Sequence, residues 1–287
     1  MTVRCDYFPQ IDRFAVHTGT HSLPIDDILA ADDYQSIEYH RYIPTGELSF
    51  KDIDSLLARY PNELCCEITT ACNLACRVCI ASAPATKPTY ITAAGIKEHV
   101  DNLPSRIRRI TVTGGEPCLH PELIPLLSHC TASERWVILS TNGYDTDAAL
   151  NVLQSVPRII LAVSLHGPTE FHDSYVGVPG SYERALDTIH RASSFAPVHV
   201  LGTVTSESLP HLPTLVSTLS KFDIVEQRFT MVKPGGRNGE DHVTYQQIIQ
   251  ALDGISPPHK LSVKRHDQPF EFFDNRGNVE VRRERQY

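Results

Sequence analysis

Three cysteines stand close together in one stretch of the sequence, Cys72-Asn-Leu-Ala-Cys76-Arg-Val-Cys79. The chain has 8 cysteines in 287 residues, and chance predicts about 0.006 such C-x3-C-x2-C triplets in a chain of this composition. The spacing therefore indicates a shared ligand. A structural zinc ion needs four ligands, usually from paired CxxC units, and no second pair is present. Buried apolar cysteines have no reason to share a loop, whereas a [4Fe–4S] cluster held by three thiolates leaves one iron open to bind another molecule.

The composition is that of an ordinary globular protein, with 41% hydrophobic and 21% charged residues. The net charge of −8 disfavours a nucleic-acid surface, because such a surface needs clustered positive charge. No apolar run reaches the roughly 20 residues that span a bilayer, and residues 1–10 lack the pattern of a signal peptide. We therefore expect a cytoplasmic protein with reduced cysteines and with neither a membrane nor a nucleic-acid partner.

Short β-branched runs alternate with helical stretches from residue 64 onward. The predicted strands cover 64–69, 109–113, 136–140, 159–164, 198–204 and 224–232, and the predicted helices cover 92–103, 121–130, 146–154, 181–194, 211–220 and 243–253. Six strand–helix units in a row indicate an α/β protein with a parallel sheet, which right-handed crossovers curve into a full or partial barrel with the helices outside. A flat doubly wound sheet is the alternative. In both folds the chemistry lies at the carboxyl ends of the strands, where the cysteine triplet stands.

The chain divides into three parts. We assign residues 1–63 to a short N-terminal extension, residues 64–240 to the α/β core, and residues 241–287 to a C-terminal helix and strands that pack on the core. The extension has no clean period, and its one predicted helix covers 50–60 with Ser49 as the N-cap. Further strands are predicted near 261–264, 270–273 and 279–282.

Three more motifs follow successive predicted strands. Thr113-Gly-Gly-Glu-Pro117 follows the second strand, Thr141-Asn-Gly143 the third, and Ser164-Leu-His-Gly167 the fourth. Together with the cysteine triplet they make the sequence resemble the radical S-adenosylmethionine (radical SAM) enzymes over about residues 62–235. The resemblance implies a partial (β/α)6 barrel, which agrees with the six units counted from periodicity.

The resemblance also implies two cofactors. Cys72, Cys76 and Cys79 would each bind one iron of a [4Fe–4S] cluster, and SAM would chelate the fourth iron. One electron from the reduced cluster would cleave SAM to methionine and a 5′-deoxyadenosyl radical, which abstracts a substrate hydrogen. The protein's share is to position the cofactor and exclude side reactions. A reductant such as flavodoxin or ferredoxin is the implied partner.

The other motifs supply the expected contacts with SAM. The family uses the loop of Gly114, Gly115, Glu116 and Pro117 for the methionine amino group. The glycines permit close approach to a ligand, and Glu116 can accept from an ammonium; an ordinary β-to-α turn is the alternative. Ser164 is the candidate for the ribose contact, and Arg237 could clamp a carboxylate unless it is a solvated surface residue. The remaining predicted cofactor-binding residues are Asn142 and Thr203.

Strand parity separates inward from outward side chains. Ser164 and His166 share one parity and are predicted to point into the barrel, while Leu165 points to the helices. His166 often corresponds to an acidic residue in relatives, so we expect it to serve a substrate or a proton transfer; a core histidine is the alternative. The same parity argument on the first strand makes Cys66 a packed apolar side chain.

Two further positions bear on catalysis. Cys118 follows the Gly-Gly-Glu-Pro loop directly, and because a thiol is a good hydrogen-atom donor we predict that it quenches a substrate radical. The alternative is a packed residue in the first turn of the next helix. Val176 stands where many relatives have an arginine, so any contact made by that arginine must come from another group.

The sequence leaves the substrate open. No cysteine follows Cys130, so we expect a single cluster and no C-terminal auxiliary iron–sulfur domain. The leading hypothesis is hydrogen abstraction from a small metabolite of specialised or antibiotic biosynthesis, of sugar, cyclitol or nucleoside type, leading to epimerisation, elimination or carbon–carbon bond formation. The alternative is maturation of a ribosomally synthesised peptide, with residues 1–63 capturing its leader by strand addition. A non-catalytic metal-binding protein that keeps the fold is the third hypothesis.

Overall fold

Strands and helices alternate along the part of the chain that the computed structural model describes. Residues 63–103, 107, 109–133, 135–232, 237 and 241–263 are described, together with the backbone of four further strands. The strands are β1 (Val3–Phe8), β2 (Arg13–Thr18), β3 (Glu63–Glu67), β4 (Arg109–Thr113), β5 (Trp136–Thr141), β6 (Ile159–Ser164), β7 (Val198–Val204), β8 (Glu226–Met231), β9 (Lys260–Val263), β10 (Pro269–Phe273) and β11 (Val279–Arg283). The α-helices are α1 (Ala93–Asp101), α2 (Leu123–Ala132), α3 (Thr146–Ser155), α4 (Thr169–Val176), α5 (Ser181–Ala192), α6 (Leu212–Leu219) and α7 (Tyr245–Ala251). None of these described helices has the length and apolar character needed to cross a membrane.

The strands form one large sheet and one small one. The large sheet has nine strands in the order β11-β10-β3-β4-β5-β6-β7-β8-β9. All neighbours from β10 to β9 are parallel, and β11 is antiparallel to β10. From β3 to β9 the spatial order is the order in the chain, without the reversal that defines a doubly wound sheet. The small sheet is the antiparallel pair β1–β2.

Burial alternates along the core strands. In β3 and β4 every second residue is buried, and these residues belong to the main apolar core with the surrounding helices. The other face of the same strands is only partly buried. A sheet covered by helices on one face, with a partly open inner face, is the arrangement of a curved α/β sheet rather than one buried on both sides. Cys66 is in the core, as strand parity predicted.

The predicted order of elements is confirmed with a few differences. All six core strands are present, and the three strands predicted in the tail pair with the same sheet: β9 with β8, β10 with β3 and β11 with β10. Helix α4 and the pair β1–β2 were not predicted. α4 has only eight residues, begins after Pro168 and ends at Gly177, whose φ of 74° is the left-handed conformation typical of helix ends. The predicted helix over 50–60 lies outside the described residues.

Candidate functional site

The three cysteines lie on a long connection at the carboxyl end of β3, residues 68–92, which we call the cysteine loop. Backbone bonds close its two ends on each other: the Ile91 N–H donates to the Ile68 carbonyl at 2.9 Å, and the Ala85 N–H donates to the Thr70 carbonyl at 3.1 Å. The Ile68 N–H donates to the Thr113 carbonyl of β4 at 2.9 Å. The base of the loop is therefore fixed to the sheet.

The glycine pair after β4 packs against the backbone of the cysteine loop. The Gly115 N–H donates to the Thr69 carbonyl and the Glu116 N–H to the Ala71 carbonyl, both at 2.7 Å. A Cβ atom would lie 2.5 Å from the Thr69 oxygen at Gly114 and 2.1 Å from the Ala71 oxygen at Gly115, so only glycine fits. The sequence analysis attributed this pair to the approach of a ligand, whereas the observed neighbour is protein backbone. A contact of Gly114 or Gly115 with SAM stays a prediction, and the groups that could accept from an amino group there are the backbone carbonyls.

The Glu116 carboxylate joins two strand-end turns. It is 1% exposed; one oxygen accepts from the Cys118 N–H at 2.9 Å and the Thr141 hydroxyl at 2.8 Å, and the other accepts from the Asn142 N–H at 2.7 Å. Burial raises the pKa of this carboxyl, against the opposing effect of its hydrogen bonds. Pro117, also buried, follows at the start of a short 3-10 turn. Glu116 thus fastens the turns after β4 and β5, and its contact with an ammonium stays a prediction.

Asn142 connects the turn after β5 to the cysteine loop. Its side-chain amide donates to the Asn73 side chain at 2.7 Å and reaches the Cys72 sulfur at 4.0 Å. The Leu74 N–H also points to the Cys72 sulfur, at 3.4 Å. Donors on a ligand sulfur are one of the means by which proteins tune an iron–sulfur centre. The structure brings Asn142 to the predicted metal ligand, and its contact with SAM stays a prediction.

Arg237 holds the outer part of the cysteine loop. Its backbone N–H donates to the Cys79 carbonyl at 2.9 Å, its Nε donates to the Cys76 carbonyl at 3.1 Å, and one Nη donates to the Ala83 carbonyl. The side chain is exposed, and its guanidinium is engaged by the backbone of the cysteine loop. Contact with a SAM carboxylate stays a prediction for this residue.

The cysteine thiols fit an iron–sulfur cluster by their donor chemistry. Burial raises the pKa of Cys72 and raises that of Cys76 to about 12, and in both cases neighbouring thiols of the triplet raise it further. Partly buried thiols whose pKa is raised in this way need a cationic partner to become thiolates. Within the described residues no three Cys, His, Asp or Glu side chains converge on a single ion. A cubane cluster does not require such convergence, because each thiolate binds a different iron.

The ends of β6 and β7 meet beside this loop. Ser164 and His166 are partly exposed while Leu165 is fully buried, as parity predicted. The Thr203 N–H donates to His166 Nδ1 at 3.2 Å, which places the proton of a neutral ring on Nε2. Burial lowers the pKa of His166 to about 3, with His172 adding to the effect. A neutral imidazole of such low pKa favours hydrogen bonding to a substrate over proton transfer at neutral pH. Binding of SAM by Ser164 and Thr203 stays a prediction.

Cys118 lies in the 3-10 turn after the glycine pair and packs against the main core. Its sulfur is 3.8 Å from the Thr141 hydroxyl oxygen. Burial raises the pKa of the thiol well above its usual value, and the Glu116 carboxylate adds to this. The group is therefore a neutral thiol, which is the form that a hydrogen-atom donor needs. The contacts show Cys118 as a packed residue, and its role as a hydrogen-atom donor stays a prediction.

Helix α4 contributes Tyr175, which was not predicted, and Val176, which was predicted only as a departure from the family pattern. Tyr175 and Val176 form a small apolar cluster with Leu74 of the cysteine loop. Their carbonyls accept from the loop, Val176 from the Ala75 N–H at 3.0 Å and Tyr175 from the Arg77 N–H at 2.9 Å. Val176, the position at which the sequence departs from the family pattern, therefore packs against Leu74 of the cysteine loop. The sequence signal that could have predicted this helix is the pair Pro168 and Gly177, which stand just before its start and just after its end.

Comparison with known proteins identifies the family. A sequence profile of the radical SAM superfamily matches residues 66–210. The mycofactocin maturase MftC of Mycobacterium tuberculosis is 30% identical over 199 residues, which is 66% of this chain and 50% of the relative. The AdoMet-dependent heme synthase of Methanosarcina barkeri is 27% identical over 222 residues, 74% of this chain and 63% of the relative. The chain thus spans about half to two thirds of the length of these relatives.

A solved structure shares the fold. Streptococcus suis SuiB bound to its precursor peptide SuiA matches with a TM-score of 0.66 and 12% identity, over 89% of this chain and 69% of that one. SuiB has also been solved with S-adenosylmethionine. The open sheet described above is accordingly the partial barrel that the sequence predicted, and the cofactors of this family, a [4Fe–4S] cluster and SAM, are those that the motifs indicated. By its sequence profile and its fold, the chain belongs to the radical SAM superfamily.

Proposed function

We propose that this chain is a radical SAM enzyme that modifies a ribosomally synthesised peptide. The observation that carries the enzymatic part is the cysteine loop, in which Cys72, Cys76 and Cys79 stand at the carboxyl end of β3. In this proposal the three thiolates would hold the cluster, and residues at the ends of β4 to β7 would bind SAM. The cluster with SAM supplies, once reduced, an organic radical that abstracts hydrogen.

The protein residues have separate tasks in this proposal. Arg237 and Asn142 keep the cysteine loop in place through the contacts described above. Ser164 and Thr203 line the adenosyl side of the site, and His166 offers its Nε2 proton to the substrate. The carbonyls of Gly114 and Gly115 would accept from the amino group of SAM. A protein such as flavodoxin or ferredoxin supplies the electron.

A reconstitution experiment tests the enzymatic part. The full chain is loaded anaerobically with iron and sulfide, and iron, SAM binding and 5′-deoxyadenosine are measured after reduction with dithionite. We expect about four irons per chain and SAM-dependent 5′-deoxyadenosine. The variant with Cys72, Cys76 and Cys79 changed to Ala should lose both, whereas Cys65→Ala and Cys130→Ala should keep them. Bound iron without 5′-deoxyadenosine would support a non-catalytic metal protein, and a cluster retained in the triple variant would refute the ligand assignment.

The relatives favour a peptide over the sugar, cyclitol or nucleoside substrate that led the sequence analysis. One relative is named a maturase, and the fold-sharing SuiB holds a precursor peptide. The antiparallel pair β1–β2 lies in the segment assigned to leader capture. Within the described residues this sheet consists of these two strands, and an extended peptide can bind the edge of such a sheet by strand addition.

A tetrapyrrole is the second candidate substrate. The heme synthase of M. barkeri matches 74% of this chain, and the pre-heme d1 synthase of Dinoroseobacter shibae is 30% identical over 75% of it. These alignments cover more of the chain than that with MftC. The tetrapyrrole hypothesis rests on these alignments and assigns no role to β1–β2. The peptide hypothesis, in contrast, requires β1–β2 to bind the leader.

Substrate-dependent cleavage of SAM separates the candidates. Reduced holoprotein is incubated with SAM and either precursor peptides encoded beside its gene or haem-precursor tetrapyrroles. We expect a peptide to accelerate 5′-deoxyadenosine formation and to change mass, and its core segment without the leader to bind more weakly. Acceleration by a tetrapyrrole alone would overturn the peptide assignment and leave the radical SAM assignment standing.

A further inference from the structure

The hydroxyl of Tyr175 is buried without a partner. The side chain is 1% exposed, and its oxygen has no hydrogen-bond partner within the part of the chain that the structure describes. Tyr175 is also among the largest fully buried side chains of that part. Burying a hydroxyl that makes no hydrogen bond costs free energy. Such a group in a native protein points to an acceptor that binds separately.

The surroundings of this hydroxyl are those of the cysteine loop. Cys72 and Cys76 pack against the apolar cluster that Tyr175 forms with Leu74 and Val176. The guanidinium carbon of Arg77, which stands between Cys76 and Cys79, is 5.9 Å from the centre of the tyrosine ring. Burial raises the pKa of the Tyr175 hydroxyl, and among the neighbouring titratable groups Cys76 raises it further while Arg77 lowers it.

The orientation of the ring is fixed from two sides. The His166 ring packs on it with the centroids 4.4 Å apart, and the Phe171 ring lies 6.0 Å away. The Tyr175 carbonyl accepts from the Arg77 N–H, which ties this turn of α4 to the cysteine loop. The ring therefore lies between the end of β6 and the loop that carries the predicted metal ligands.

We propose that the Tyr175 hydroxyl donates a hydrogen bond to a sulfur atom of the cluster that Cys72, Cys76 and Cys79 hold. The inference rests on the proposed cluster ligands. Cluster and thiolate sulfurs are anionic acceptors, so they satisfy a buried donor that a neutral thiol satisfies only weakly. A hydrogen bond to sulfur stabilises the more negative, reduced cluster and raises its reduction potential. Tyr175 is thus a positioning residue that sets how readily the cluster accepts the electron.

A potentiometric titration of the holoprotein tests this role. Tyr175→Phe removes only the hydroxyl. Tyr182→Phe is the matched control because Tyr182, on α5, is also buried but belongs to the main apolar core. The reduction midpoint, followed by the electron paramagnetic resonance of the reduced cluster without SAM, should be lower in Tyr175→Phe than in the wild type. In Tyr182→Phe it should be unchanged. The spectrum of the reduced wild-type cluster should also show a coupling to one proton that exchanges in D2O. This coupling should be absent from Tyr175→Phe and present in Tyr182→Phe.

The outcomes distinguish this inference from the proposed function. Wild-type potential and proton coupling in Tyr175→Phe, at full iron content, overturn the hydrogen bond while the cluster assignment stands. Absence of a cluster from the wild type overturns both. If Tyr175→Phe fails to hold iron, incorporation of 3,5-difluorotyrosine at this position replaces it: a stronger donor should raise the potential, and an unchanged potential overturns the inference.

Discussion

Replacement of Glu116 by Gln should destabilise the protein before any cofactor is bound. The carboxylate accepts three hydrogen bonds from the turns after β4 and β5, and it is shielded from water. Gln keeps one acceptor oxygen but puts an NH2 group where the other stood. In either orientation of the amide, at least one backbone N–H, that of Cys118 or of Asn142, then faces a donor.

The size of the effect follows from these contacts. Loss of a hydrogen bond to a charged group costs about 1.5–3 kcal/mol, and a buried donor without an acceptor costs about 1–3 kcal/mol. Relief of the desolvated charge works in the opposite direction, because burial raises the pKa of the carboxyl and so penalises its ionised form. We therefore expect a net loss of about 1–3 kcal/mol in the free energy of unfolding.

The assay is urea unfolding of the metal-free protein at neutral pH. Glu122→Gln is the matched control, since its exposed carboxylate accepts a hydrogen bond from the Ala93 N–H at 2.9 Å. Its free energy of unfolding should change by no more than about 0.5 kcal/mol. Weaker SAM binding by Glu116→Gln would accompany the loss of stability. A wild-type midpoint together with weakened SAM binding would refute the reasoning and assign the carboxylate to the cofactor.

Two further predictions concern the histidine pair and the cysteine loop. Burial lowers the pKa of His172 to about 4 and that of His166 to about 3 from 6.5, so the unfolded chain binds more protons between these values and the free energy of unfolding should fall as the pH drops from 6.5 toward 4. The His166 backbone N–H donates to His172 Nδ1 at 3.2 Å, and His172→Asn keeps an acceptor for it. This variant should reduce the number of protons taken up on unfolding by up to about one, which makes the fall shallower. An unchanged slope would argue against a neutral His172. Arg237→Lys removes the fork that holds two loop carbonyls and should speed the loss of iron to a chelator, whereas Arg184→Lys on α5 should not; equal rates in both variants would deny Arg237 a part in holding the loop.

The sheet was predictable because each core strand is a short apolar run between turn residues. Burial on one face leaves a period of two in sequences such as 109–113, and six such runs separated by helices admit few topologies. The partial barrel then follows from strands that keep their chain order. The pair β1–β2 could not be predicted as a pair, because residues 13–18 of β2 have no clean alternation of apolar and polar residues.

The site was predictable in its residue types and not in its contacts. Cys72, Asn142 and Glu116 stand in short motifs, so their presence could be identified from spacing. The direction of each side chain depends on neighbours that are distant in the chain, as with Arg237, whose guanidinium binds the Cys76 carbonyl 161 residues away. Tyr175 was missed because α4 is short and its amphipathic period covers only two turns.

The contacts among these motifs explain why they occur together. The cysteine loop is held through backbone by Gly115 and Glu116, through an amide by Asn142, and through a guanidinium by Arg237. Each of these bonds forms within the protein and needs no iron, so much of the entropy of ordering the loop is already lost before the cluster binds. Preorganised ligands bind more tightly because less conformational freedom remains to be lost. The glycine and asparagine motifs therefore have a structural task toward the predicted metal ligands that is separate from any contact with SAM. Substitutions in these motifs should alter iron binding as well as SAM binding.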